Sequence, residues 1–163
     1  MKMLSNSNGK DNTSWCDDSP CIMDASALIT YFEGKPRGAV IQRILEQSQS
    51  CGSKIRISAL DMLMVYLKGI TDHPDSFADF LALLEQIPIH VEPVTAECAL
   101  ETAKLMAKHQ GLEPNGGIST YFAERLGGTM ITADPVICKA KILPGQAIVY
   151  VGDDPPMQAN DGL

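Results

Sequence analysis

The sequence contains no apolar run close to the roughly 18 residues that a membrane-spanning helix needs. It also lacks the apolar core of a signal peptide, because the stretch from Ser5 to Ser14 contains only polar residues and glycine. These absences exclude a helical membrane protein and argue against secretion. We therefore predict a cytoplasmic protein that has no contact with a membrane.

Soft metal ligands are also sparse. The five cysteines include no Cys-x-x-Cys pair, and the three histidines are isolated in the sequence. This pattern excludes an ordinary structural zinc site. The odd cysteine count favours reduced thiols, with a Cys16–Cys21 bridge as the alternative.

Positive charge is in deficit, with 13 Lys and Arg against 20 Asp and Glu and a net charge of −7, which argues against broad nucleic-acid binding. Residues 1–20 and 153–163 hold six of these acids and two of the bases, so the part between them carries only −3. The length suits one domain. We predict that domain at residues 21–152, between a flexible polar tail at 1–20 and a flexible acidic tail at 153–163.

The sequence does contain a regular alternation of short strand-like runs and segments with helical periodicity. This alternation predicts an α/β fold, a three-layer α/β/α sandwich with a central, mostly parallel sheet. Residues 113–117 are predicted to form a loop. The helix predicted at 59–69 is expected to bury Leu60, Leu63, Met64 and Leu67. The strands are predicted at residues 21–24, 54–58, 87–91, 129–134 and 146–151.

Two of the predicted strands end in an acid, Asp24 and Asp134. The carboxyl ends of parallel strands meet at one edge of a sheet, which is where ligands bind in open α/β folds. Two carboxylates that approach each other repel unless a cation lies between them, and hard oxygen ligands suit Mg²⁺ or Mn²⁺. The alternative is that each acid is an ordinary turn or helix-cap residue.

Three short motifs resemble those of the PIN domain, the metal-dependent nuclease fold of VapC-type toxins. Asp24-Ala25-Ser26-Ala27-Leu28 resembles the opening motif, Ile57-Ser58-Ala59-Leu60 the second, and Thr132-Ala133-Asp134-Pro135 the last. The resemblance spans roughly residues 21–152. It implies an endoribonuclease that uses Mg²⁺ or Mn²⁺, an antitoxin that blocks it, and pairing of two copies into a homodimer.

PIN domains of this type usually place four acids around the metal, and the resemblance carries over only two of them. Asp24 and Asp134 match the first and last acids, as catalytic and metal-binding residues. Ser26 and Thr132 match hydroxyl residues that support them. The usual Glu falls on Met64 and the usual late Asp on Gly116, and neither supplies a carboxylate.

Three other residues are candidates to compensate for the missing acids: Asp61, Glu113 and Asn115. The alternatives are that Asp61 is an early-helix acid favoured by the helix dipole and that Glu113 is solvated. The segment 115–117, Asn-Gly-Gly, suits either a turn or a phosphate site at a helix start. Five basic residues lie close together in the sequence, and they are interpreted either as phosphate contacts or as a solvated face. They are Lys35, Arg37, Arg43, Lys54 and Arg56.

Two functions follow from the sequence. Met64 and Gly116 favour a PIN-domain protein of VapC-like descent with impaired or lost nuclease activity, which acts as an RNA- or protein-binding module and binds Mg²⁺ or Mn²⁺ weakly or not at all. The alternative is an active Mg²⁺- or Mn²⁺-dependent endoribonuclease that cleaves single-stranded RNA as the toxin of a toxin–antitoxin pair. The first is the reading that we favour.

Overall fold

A five-stranded parallel sheet forms the centre of the computed structural model, which describes residues 19–153 apart from the side chain of Gln146. Within these residues the strand order is β3-β2-β1-β4-β5, and every pairing is parallel. The predicted fold class is therefore confirmed. The predicted tails lie almost wholly outside the described residues. The strands are β1 (Cys21–Met23), β2 (Ile55–Ser58), β3 (Ile89–Glu92), β4 (Thr129–Thr132) and β5 (Ile148–Tyr150).

Helices cover both faces of this sheet and form two separate hydrophobic clusters. One cluster joins the sheet to the first four helices, and the other joins it to the last three. Each face of a parallel sheet must be covered because its strands are apolar on both sides. None of the described helices is long and apolar enough to cross a membrane. The helices are α1 (Ala25–Phe32), α2 (Gly38–Cys51), α3 (Ala59–Asp72), α4 (Phe77–Glu85), α5 (Ala96–Lys108), α6 (Pro114–Leu126) and α7 (Pro135–Lys139).

The orientation of α3 differs from the prediction. Leu63, Met64 and Leu67, which were expected in the core, are exposed. The reason is that α3 is apolar on almost every side, so its periodicity does not single out one buried face. Packing on β2 and α1 decides the orientation. The residues that α3 buries are Asp61, Met62, Val65 and Gly69.

The segment predicted as a loop at 113–117 is also different, because α6 begins at Pro114. Proline at the first helical position is favourable, since its missing N–H has no partner there in any case. Gly116 and Gly117 are buried inside the first turn. An added Cβ at Gly117 would lie 3.0 Å from Thr102 Cγ2, so the small residue permits close packing of α6 on α5.

The thiols are only partly as predicted. Cys21, Cys98 and Cys138 are free, which excludes the Cys16–Cys21 bridge. Cys51 is disulfide-bonded, so the expectation that all five thiols are reduced is wrong. Cys16 lies outside the described residues.

Candidate active site

Asp24 lies at the carboxyl end of β1, beside the end of β4, because these strands are parallel neighbours. Its backbone N–H donates to the carbonyl of Ile131 (3.2 Å). Its side chain is buried, with 2% of the residue exposed, and it caps α1 by accepting a hydrogen bond from the Ala27 N–H (2.9 Å). Asp24 is thus a helix cap, and it also lies where the sheet edge brings the first and last motifs together.

Two hydroxyl groups join Asp24 to the last motif. Ser26 Oγ donates to Asp24 Oδ1 (2.7 Å), and Thr132 Oγ1 donates to Asp24 Oδ2 (2.5 Å). Each hydroxyl also accepts a backbone N–H, that of Ala133 for Ser26 (2.8 Å) and that of Asp134 for Thr132 (2.9 Å). A single hydroxyl group therefore separates the Asp24 carboxylate from the Asp134 backbone.

Asp134 caps the short helix α7, where its Oδ1 accepts a hydrogen bond from the Val136 N–H (2.8 Å). Burial raises the pKa of the nearby Cys138 thiol, and the charges of both Asp134 and Asp24 raise it further. The two strand-end acids and this thiol therefore share one neighbourhood. Because Asp134 and Cys138 are only partly buried, the neighbourhood opens towards solvent on the Asp134 side.

The two positions where the resemblance implies further acids provide none. A Cβ added at Gly116 would lie 3.7 Å from Asp134 Oδ2 and 3.3 Å from Ile137 Cδ1. An acid at position 116 would thus begin beside Asp134, as the resemblance implies, whereas this chain has only backbone there. Met64 is 39% exposed, and its thioether is a poor ligand for a hard cation.

Asp61 lies beside the opening motif and is fully buried. Its Oδ1 accepts the N–H of Ala25 (2.9 Å), and its Oδ2 accepts the hydroxyls of Ser58 (2.5 Å) and Ser119. The side chain of Asn115 also hydrogen-bonds to it. Asp61 thereby connects the starts of α1 and α3 to the first half of α6.

Part of the Asp61 arrangement has a sequence signal and part has none. Ser58 precedes Asp61 by three residues, as in a capping box, and its Oγ does accept the Asp61 N–H (2.9 Å). Ser119, in contrast, is a serine inside a helix with no local partner, and the sequence analysis missed it. Its contact spans 58 positions, so no local pattern could have predicted it.

Burial disfavours the charged form of both carboxylates. Burial raises the pKa of Asp24 to about 7, with a further contribution from the charge of Asp61, against the three hydrogen bonds that lower it. Burial likewise raises the pKa of Asp61, and the hydrogen bonds from Ser119, Ser58 and its other donors oppose this shift. Both groups therefore favour their protonated forms more strongly than in water.

The other residues predicted to support the site, Glu113, Asn115 and the basic cluster, do not all lie near the acids. Glu113 is exposed and precedes α6 without making a side-chain cap bond, so only Asn115 of the two reaches the acids. The predicted basic cluster is partly neutralised, because Lys35 pairs with Glu33 (3.1 Å) and Arg56 pairs with Glu92.

The side chains in this site do not provide the full set of carboxylate ligands that would hold a divalent metal ion. Three hydrogen bonds occupy Asp24, and four donors surround Asp61. Among residues 19–153, no group of three or more His, Cys, Asp and Glu side chains is placed to hold a metal ion. Mg²⁺ needs near-octahedral oxygen coordination, and the carboxylates of Asp24 and Asp134 provide only a small part of it.

The fold and the strand-end carboxylates define a parallel α/β domain with acids at the carboxyl edge of its sheet, and comparison with known proteins identifies its family. The PIN domain family matches residues 21–143, so the chain belongs to the PIN domain family, as the resemblance implied. PIN domains are generally nucleases that depend on divalent metal ions.

Comparison with individual proteins gives a structural neighbour but no curated relative. The search of curated proteins finds no match. Among solved structures, a toxin–antitoxin complex from Klebsiella pneumoniae is similar to this chain, with a TM-score of 0.55 and 16% sequence identity. The similarity covers 80% of this chain and 96% of that one. At this identity it shows a common fold.

Proposed function

We propose that this chain is a PIN-domain protein of VapC-like descent that has lost most or all of its nuclease activity and acts as an RNA- or protein-binding module. The observation that carries the proposal is the bare backbone of Gly116 beside Asp134 Oδ2, together with the thioether at Met64. A metal in such a site would activate water and stabilise the phosphate under attack. This chain offers too few oxygen ligands to hold it.

The family residues that this chain retains, Asp24, Ser26 and Thr132, have a structural role. Ser26 and Thr132 each donate to Asp24 and accept an N–H from the segment after β4. These bonds join the start of α1 to the start of α7. The site therefore keeps its shape through hydrogen bonds among its own residues.

The alternative, an active Mg²⁺- or Mn²⁺-dependent endoribonuclease, rests on the same four side chains: Asp24, Ser26, Thr132 and Asp134. One assay compares the two functions. We expect no cleavage of single-stranded RNA by the wild type in Mg²⁺ or Mn²⁺, and Mn²⁺ binding too weak to saturate by calorimetry. Cleavage that disappears in Asp24→Asn would establish the alternative.

The matched gain-of-binding variant is Met64→Glu with Gly116→Asp. Met64 is exposed, and the substitution at Gly116 requires a small shift of the terminal methyl group of Ile137, which would lie 3.3 Å from the new Cβ. We expect this variant to bind Mn²⁺ at least tenfold more tightly than the wild type does, since carboxylates suit this ion. The control is Met64→Gln with Gly116→Asn, which adds similar volume without charge. Equal Mn²⁺ affinities in the two double variants would contradict the proposed loss of ligands.

A protein partner of the antitoxin kind is part of the proposal. The support is membership of the PIN domain family and the structural neighbour, which is itself a toxin–antitoxin complex. A partner that covers the Asp24 edge would protect the adjacent backbone amides from hydrogen exchange. Absence of such protection in a purified complex would argue against this mode of binding.

We also propose that two copies of this chain form a homodimer through the exposed face of α3. Leu63 and Leu67 are each 54% exposed and Ile70 is 50% exposed, at the spacing of one apolar helical stripe. We expect Leu67→Lys to convert a dimer to a monomer in light scattering. Leu83→Lys on α4, equally exposed at 54%, is the control. A wild type that is monomeric at high concentration would exclude the pairing.

A further inference from the structure

A groove without carboxylates lies between the end of α5 and α7, in a chain that is acidic as a whole. It has a volume of about 470 Å³ and is lined by Lys108, His109, Lys139 and their neighbours. None of the lining residues is Asp or Glu. Lys108 and Lys139 are exposed, and neither has an ion-pair partner within residues 19–153. The groove is therefore locally positive.

A second groove continues this surface along α5 and α6 and shares Lys108 with the first. Tyr121 and Arg125 lie in its lining, with the Arg125 guanidinium 5.9 Å from the centre of the Tyr121 ring. Arg125 also donates to the Tyr121 hydroxyl (3.0 Å). The second groove contains two glutamates, so its distinctive feature is an aromatic ring next to a fixed cation.

The first groove adjoins the candidate active site. Its α7 side begins one residue after Pro135 and therefore two residues after Asp134. Its other side packs directly on α7, because a Cβ added at Gly111 would lie 3.7 Å from Val136 Cγ1. A ligand in the groove would thus lie against the edge of the sheet that holds the acids.

We propose that the groove of Lys108, His109 and Lys139 binds the phosphodiester backbone of single-stranded RNA, with the half-buried Tyr121 ring of the second groove, which lies beneath the Arg125 guanidinium, as the neighbouring aromatic surface. The combination of a positive groove and an aromatic side chain is typical of single-strand binding. An acidic peptide would need the cations but not the ring. The inference rests on the proposed RNA-binding function and assigns that function to one surface.

The test is fluorescence anisotropy with a labelled single-stranded RNA over a range of salt concentrations. We expect Lys108→Gln with Lys139→Gln to weaken binding about tenfold or more at low salt. The slope of log affinity against log salt should fall by roughly 0.7 for each lost phosphate contact. The control, Arg43→Gln with Lys54→Gln, removes the same charge from the predicted basic cluster. Because these two residues line neither groove, affinity and slope should stay near those of the wild type.

The outcomes separate the surface from the function. If the wild type binds RNA and both double variants bind it equally well, the assigned surface is wrong, whereas the proposed RNA-binding function is retained. Absence of wild-type RNA binding would overturn both. A labelled polyglutamate peptide tests the other class of partner: binding of this peptide in place of RNA, lost with Lys108 and Lys139, would assign the groove to an acidic protein instead.

Discussion

Replacement of Asp61 by alanine is expected to lower the free energy of unfolding by roughly 3–5 kcal/mol, because it leaves several buried donors without an acceptor. The N–H of Ala25 and the hydroxyl of Ser119 meet Asp61 in the interior, where water does not replace the lost acceptor. These donors belong to α1 and α6, and Asp61 itself belongs to α3. The substitution therefore weakens the junction of three elements at once.

Urea denaturation of matched variants checks this expectation. Asp61→Asn keeps one oxygen for the Ala25 N–H and should lose less stability than Asp61→Ala. Asp72→Asn removes a carboxylate at the exposed end of the same helix, where it pairs with Lys68, and should leave the midpoint almost unchanged. An Asp61→Ala variant as stable as the wild type would show that this network does not hold the three helices together.

Stability is expected to fall as the pH rises from about 4 to about 7, through Asp24. Its pKa in the folded state is about 7, above its ordinary value of 3.8, so the folded protein binds more protons than the unfolded chain between these values. The contribution of this group is complete below about pH 4 and is lost as the pH passes 7. The difference corresponds to on the order of 4 kcal/mol.

The variant that isolates this effect is Asp24→Asn, which mimics the protonated acid at every pH. In a metal chelator, its stability should approach that of the wild type near pH 5 and exceed it near pH 8. Glu33→Gln provides a contrast of opposite sign, because Lys68 and Lys35 lower the pKa of Glu33, and the stability from Glu33 is lost as the pH falls. Parallel pH profiles for the wild type and Asp24→Asn would contradict the assignment to Asp24.

Helix α3 shows where sequence reasoning fails and why. Its apolar residues occur on most sides of the helix, so the stripe of Leu63, Met64 and Leu67 looked as suitable for the core as Met62 and Val65. The polar residue Asp61 argued against burial of its own face, yet that face is the buried one. Besides Ser58, which caps α3, hydrogen-bond donors on Ala25, Ser119 and Asn115 make this burial possible, and these three cannot be inferred from the sequence of α3.

The sequence by itself determined that Asp24, Ser26, Thr132 and Asp134 lie at one edge of a parallel sheet, because each stands at a fixed position relative to its own strand. The resemblance to PIN domains implies further acids at positions 64 and 116, where this chain has Met and Gly. Only the tertiary structure decided that Asp61 is buried beside Asp24 and bonded to Ser119. The physical reason is that strand-end geometry is local, whereas satisfaction of a buried carboxylate depends on donors that packing brings together from distant segments.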